Sequence, residues 1–121
     1  ARPDEIRQVF FNIINNARHA MREGGTLTVG FKKVRDEDGR DLIRIRFSDT
    51  GAGIKQENLD RIFDPFFTTK PEGQGTGMGL SVVHSLVEKA GGTIAVESEE
   101  GKGAVFIIDL PELSASGKSR I

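Results

Sequence analysis

Asn12 and Asn16 stand four residues apart in a stretch whose apolar residues return at three- and four-residue steps. At about 100° per residue, Gln8, Asn12, Asn16 and His19 fall within roughly 80° of one another on such a helix, beside its apolar arc. Asparagine is a poor residue for a helix interior because its amide competes for backbone groups, so two on one face, with Asn15 beside them, call for a reason. An amide oxygen can complete the shell of a Mg²⁺ ion whose other ligands are water and phosphate oxygens. The same amides can also bond to neighbouring loops, and the helix alone leaves both open.

Two glycine-rich segments carry further chemistry. Asp49-Thr50-Gly51-Ala52-Gly53-Ile54 puts a carboxylate at a strand end, followed by two glycines that let the backbone pass close to a flat ligand. A buried carboxylate there can accept from the exocyclic amine of a purine; an ordinary turn is the other reading of Asp and Gly. Gly75-Thr76-Gly77-Met78-Gly79-Leu80 runs straight into a helix, which turns backbone N–H groups and the positive end of a helix dipole toward an anion. The pattern is no dinucleotide fingerprint, since Pro65 to Gln74 is not strand-like, and no Walker loop, since Gly-Lys-Ser/Thr is missing. A flexible glycine-rich linker is its alternative.

The elements that must position these residues are legible from periodicity. Asp4 to Arg22 reads as a helix stopped by Gly24-Gly25. Thr26 to Val34 and Leu42 to Asp49 read as strands joined by Asp36-Glu37-Asp38-Gly39, with Ile43, Ile45 and Phe47 alternating against Arg44, Arg46 and Ser48. Gln56 to Ile62 is a short helical candidate, and Leu80 to Ala90 a helix. Thr93 to Ser98 and Ala104 to Leu110 are strands joined by a second charged, glycine-bearing turn. This order predicts an α+β fold, helices layered on one face of a largely antiparallel sheet.

With 121 residues, 36% apolar and 29% charged, the chain suits one globular domain. Seventeen basic and 18 acidic residues leave a net charge of -1, so no global field draws it to nucleic acid or an anionic membrane, and an anionic ligand must be held locally. Without cysteine it can form neither a disulfide nor a thiolate metal site, which fits a reducing compartment. Its apolar runs, such as Val105 to Ile108, are too short for a membrane span. The expected domain is 1–112, with 113–121 a polar tail or linker.

Taken in order, four segments resemble the boxes of the histidine kinase branch of the superfamily that also holds DNA gyrase, Hsp90 and MutL. Asn12-Ile13-Ile14-Asn15-Asn16-Ala17 resembles the N-box and Asp49 to Ile54 the first glycine box. Ile62-Phe63-Asp64-Pro65-Phe66-Phe67-Thr68-Thr69-Lys70 resembles the F-box, with wording similar to the nitrogen-regulation sensor kinases, and Gly75 to Leu80 the second glycine box. The resemblance implies a two-layer Bergerat-type α/β sandwich on a mixed, largely antiparallel sheet. It would clamp ATP between the N-box helix and a mobile lid at about Thr68 to Thr76.

By match to those motifs, Asn16 is the implied Mg²⁺ ligand, Asn12 a supporting amide on the phosphate side and Asp49 the adenine reader. Gly51 and Gly53 let adenine dock, and Ile54 is implied to bind the nucleotide. Gly77 and Gly79 present N–H groups to phosphate, Phe63 and Phe67 anchor the lid, and Phe67, Thr76, Met78 and Leu80 are further implied nucleotide-binding residues. His19 stands where the family often has a Lys touching the terminal phosphates, and Lys70 is the implied replacement for that charge. Three departures accompany the match: Arg2 where many relatives have Asp, no leading strand upstream, which suggests a trimmed start, and Ala104 where Thr is common.

The implied activity is phosphotransfer from Mg-ATP to a histidine on a separate dimerisation and phosphoacceptor domain of the same protein, with a response regulator's receiver domain as the indirect partner. Neither His19 nor His84 fits the acceptor, and His84 reads as a structural or surface histidine. The location implied is cytoplasmic, without nucleic acid or direct membrane contact, any anchor of the parent lying outside this segment. Two alternatives stand beside it. A gyrase- or Hsp90-like ATPase needs an N-box Glu where Asn12 stands, and Asn12 cannot act as a general base. A non-catalytic nucleotide-binding module shares the fold.

Overall fold

A computed structural model describes residues 3–64 and 79–111. Helix α1 (Pro3–Ala20) leads into strands β1 (Leu27–Arg35) and β2 (Asp41–Asp49), and a single 3₁₀ turn at Gln56–Asn58 follows. Helix α2 (Gly79–Lys89) then precedes β3 (Thr93–Ser98) and β4 (Ala104–Pro111). Asp4 and Glu5 in the first turn of α1, with Arg18 and His19 in its last, complement the helix dipole.

The four strands form one sheet in the order β1-β2-β4-β3, every neighbouring pair antiparallel. The expected α+β sandwich is therefore present, but no parallel pair occurs among the described residues. The helical candidate at Gln56 to Ile62 shrinks to the 3₁₀ turn, continued by i→i+3 bonds from Arg61 to Asn58 and from Asp64 to Arg61. Asn58 and Asp60 favour such turns over an α-helix because their side chains compete for the backbone.

One core joins the layers. Val9, Ile13 and Ala17 from α1 and Val83 and Val87 from α2 are buried with Ile45 and Phe47 of β2 and Phe106 and Ile108 of β4. Phe47 pairs across the sheet with Val29 on one side and Phe106 on the other, so these residues share the helix-facing surface. The β1 edge of that surface is less covered: Phe31 is 64% exposed, although it stacks on Phe10 of α1 at 6.3 Å between ring centroids.

The helices run antiparallel. Lys89 Nζ meets Glu5 Oε2 at 2.8 Å where α2 ends, and Asn12 Nδ2 donates to the Gly79 carbonyl at 3.2 Å where α2 begins. The start of α2, the end of α1, the end of β2 and the β3–β4 turn thus converge on one edge of the sandwich.

Candidate functional site

Asp49 is 6% exposed, and it is the one charged residue among the buried side chains described. It closes β2 opposite Ala104 of β4, and its Oδ1 accepts from the Gly51 N–H at 2.8 Å. Its Oδ2 accepts from no described group. Since no buried, solvent-sealed side-chain oxygen lacks a partner, Oδ2 keeps an open edge. A carboxylate held by one oxygen, with the other presented from a nearly dry wall, suits recognition of an amine donor.

The loop after Asp49 is pinned on both sides. Ala52 N–H donates to the Ala20 carbonyl at 3.1 Å, and Gly101 N–H donates to the Ala52 carbonyl at 2.6 Å. Thr50 N–H donates to the Thr26 carbonyl at 3.2 Å, and Thr26 N–H returns a bond to Thr50 Oγ1 at 2.9 Å. Packing alone demands the two loop glycines: a Cβ on Gly51 would lie 2.6 Å from the Ala20 carbonyl oxygen, and one on Gly53, whose φ is +75°, would strike the Glu99 carbonyl. Close approach to a ligand is thus not needed to explain them, though it remains compatible with them.

Ser98 is a site residue that sequence reasoning missed. Its hydroxyl accepts from Ile54 N–H at 2.7 Å and donates to the Gly103 carbonyl at 2.8 Å, so it ties the Asp49 loop to the β3–β4 turn. A serine closing a strand gave no signal by itself. Ile54, expected beside a ligand, also packs on the core.

On α1 the polar stripe reaches α2 at Asn12. Gln8 Nε2 donates to Asn12 Oδ1 at 2.9 Å, and Asn12 Nδ2 passes a bond to the Gly79 carbonyl. His19 Nδ1 lies 2.9 Å from the Asn15 carbonyl, and Arg18 donates to Asn15 Oδ1 at 3.2 Å. Asn16 is half-buried, and its amide bonds to no described residue. No three His, Cys, Asp or Glu side chains gather into a metal cage among the described residues. The ligands on offer are neutral amides, one of them unpaired among the described residues, which fits Mg²⁺ bringing most of its shell as water and phosphate oxygens.

Other expected residues divide by position. Gly79 opens α2 and Leu80 packs on the core, whereas Phe67, Lys70, Thr76, Gly77, Met78 and the lid at Thr68 to Thr76 lie outside the described residues. Phe63 rests on the His84 ring, 5.3 Å between centroids, and His84 Nδ1 lies 3.5 Å from Glu88 Oε1. Both contacts agree with a structural His84. No helix among the described residues is long and apolar enough to cross a membrane.

Residues 1–114 match the family described as histidine kinase-, DNA gyrase B-, and HSP90-like ATPase. The chain belongs to this family. It is 47% identical over 114 residues to the sensor histidine kinase ZraS of Salmonella typhi, a match covering 94% of this chain and 23% of that protein. The solved catalytic domain of histidine kinase ThkA, in a nucleotide-free form, superposes with a TM-score of 0.76 at 36% identity, covering 92% of this chain and 68% of that one. Full-length ShkA in complex with AMPPNP gives a TM-score of 0.72 at 31% identity, over 88% of this chain and 21% of that one. The membership makes this an ATP-binding domain, and its relatives set it with the sensor histidine kinases rather than with gyrase or Hsp90. The chain spans about a quarter of the length of the relative ZraS.

Proposed function

We propose that the domain, placed in the cytoplasm, binds Mg-ATP and presents the γ-phosphoryl group to a histidine on a separate dimerisation and phosphoacceptor domain of the same protein, from which it passes to a response regulator's receiver domain. The observation that carries this is Asp49, buried with Oδ1 fixed by Gly51 N–H and Oδ2 open. Oδ2 accepts from the adenine amine, while Gly51, Gly53 and Ile54 form the wall beside the ring. ShkA, which shares this fold over the matched region, was solved in complex with the ATP analogue AMPPNP, and this supports nucleotide binding here.

On the phosphate side, Asn16 is the amide that would hold Mg²⁺, which supplies charge neutralisation across the phosphate oxygens when bound. The first turn of α2, at Gly79 and Leu80, offers backbone N–H groups to the phosphates, continuing Thr76, Gly77 and Met78 before it. His19 and Lys70 supply further donors. Asn12 cannot take a proton from water, and its Oδ1 is already engaged by Gln8. Positioning for in-line transfer is therefore favoured over hydrolysis.

Incubated with labelled ATP, the domain alone should release almost no phosphate and should not label itself. Addition of the matching acceptor domain should allow transfer, weakly because the covalent linkage is absent, and Asn16→Ala should abolish it. Steady hydrolysis by the domain alone, lost on mutating the α1 stripe, would make it an ATPase of the gyrase type instead.

A further inference from the structure

Gln8 belongs to the polar stripe but has no role in the reading above. Its side chain is exposed, one helical turn before Asn12, and it would pass for a solvated surface residue. The bond it makes is directional. Gln8 Nε2 donates to Asn12 Oδ1 at 2.9 Å, which turns the Asn12 amino group toward α2, where Nδ2 donates to the Gly79 carbonyl at 3.2 Å.

An amide nitrogen carries two hydrogens and a carbonyl oxygen two lone pairs. The Gly79 carbonyl can therefore keep its helical partner within α2 while accepting from Asn12. One Asn12 hydrogen clasps the start of α2, and the second remains for a phosphate oxygen approaching between the helices. In the opposite orientation Asn12 Oδ1 would face the Gly79 oxygen, and an acceptor would face the phosphates, both repulsive. With the Glu5–Lys89 ion pair closing the far end of the helix pair, the orientation of Asn12 fixes the phosphate-facing end.

We infer that Gln8 is a positioning residue for the nucleotide phosphates: by donating to Asn12 Oδ1 it sets the Asn12 amino group to hold α2 at Gly79 and to donate to phosphate. This rests on the proposed placement of phosphate between α1 and α2. Gln8 itself touches no nucleotide atom.

The test measures ATP and adenosine binding by calorimetry for the unaltered chain, Gln8→Met and Gln8→Lys, with Mg²⁺ present. Met is neutral and similar in length but donates nothing, whereas Lys restores a donor. Gln8→Met should weaken ATP by about tenfold, the scale of one lost oriented hydrogen bond to a charged group, and leave adenosine unchanged. Gln8→Lys should keep ATP affinity within about threefold of the unaltered chain or better. In the unaltered chain the Asn12 side-chain amide resonances should shift on ATP addition and not on adenosine, and Gln8→Met should remove that difference. A general loss of structure would weaken both ligands and counts against the inference, as does Gln8→Met binding ATP normally. If the unaltered chain binds neither ligand, the nucleotide site fails rather than the role of Gln8.

Discussion

The two hairpins of the sheet look alike in sequence, each a charged turn with a glycine near its end, and they are built for different purposes. The β1–β2 turn, residues 36–40, closes on itself: Asp36 Oδ1 accepts from the N–H groups of Asp38 at 2.9 Å and Arg40 at 2.8 Å, and Asp36 Oδ2 meets Arg40 Nε at 2.8 Å. The β3–β4 turn, residues 99–103, has its own bond from Lys102 N–H to the Glu99 carbonyl at 2.9 Å and is also held from outside itself. Gly101 bonds to Ala52, Ser98 bridges Ile54 and Gly103, and Gly103 lies so near the Asp49 backbone that it leaves no room for a Cβ. One hairpin is a local stop. The other is packed on the Asp49–Ile54 loop, so its glycines respond to a segment about fifty residues earlier in the chain.

The largest expected difference is between matched glycines. Gly39 and Gly103 both have positive φ, +82° and +88°, but a Cβ on Gly39 meets nothing within 4 Å, while one on Gly103 strikes the Asp49 carbonyl. Gly39→Ala should cost about 1 kcal/mol from backbone conformation alone. Gly103→Ala should cost roughly 3 kcal/mol, because overpacking adds to that conformational cost, and should also displace Asp49. Urea unfolding of the two variants decides it; equal losses would mean that the β3–β4 turn is as independent as its counterpart.

The next effect isolates the carboxylate that the β3–β4 hairpin helps to hold. Asp49→Asn can still accept from Gly51 N–H through its amide oxygen, so the loop should keep its shape. It loses the charged acceptor proposed for the adenine amine, which should weaken ATP at least about tenfold, corresponding to the roughly 1.5–3 kcal/mol of a hydrogen bond to a charged group. Calorimetry that finds unchanged affinity would remove Asp49 from the nucleotide site.

Ser98→Ala should come third. It strips partners from Ile54 N–H and the Gly103 carbonyl, at a cost of about 1–2 kcal/mol in stability. Ser98→Thr keeps the hydroxyl and should recover most of the loss. If alanine and threonine behave alike, the hydroxyl is not the link between turn and loop.

The split between the hairpins also marks what the sequence could disclose. Alternation in Ile43, Ile45 and Phe47 announced β2, and the three- and four-residue spacing of Val9, Ile13 and Ala17 announced the buried face of α1, because each pattern is local and matches one repeat of the backbone. Asp49 was legible through its glycines. The role of Ser98, the clash that forbids a side chain at Gly103 and the donation from Asn12 to Gly79 were not, since each depends on segments that meet only after folding. The 3₁₀ turn was overread as a helix because Ile62, which is buried, extends the apolar pattern although no α-helix supports it.

The smallest effect belongs to the self-contained hairpin and should appear as a dependence on pH. Arg40 holds the Asp36 carboxyl below the ordinary aspartate value of 3.8, first through its backbone N–H and then through its guanidinium, with a smaller contribution from the Asp38 N–H. A carboxylate favoured in the folded state stabilises it fully above its unfolded value, and that contribution is lost as the pH falls through the lower folded value. The β1–β2 turn should therefore loosen only in the acid range beneath 3.8. A carbon-detected NMR titration should find the Asp36 midpoint below that of an aspartate in an unfolded peptide, with Gly39 and Arg40 amide shifts following the same curve. Asp36→Asn should abolish that titration and leave ATP affinity unchanged, because the turn lies at the end of the sheet away from Asp49. An Asp36 midpoint at or above the ordinary value would remove the carboxylate as the clasp of this turn, and weakened ATP binding in Asp36→Asn would show that the two hairpins are coupled after all.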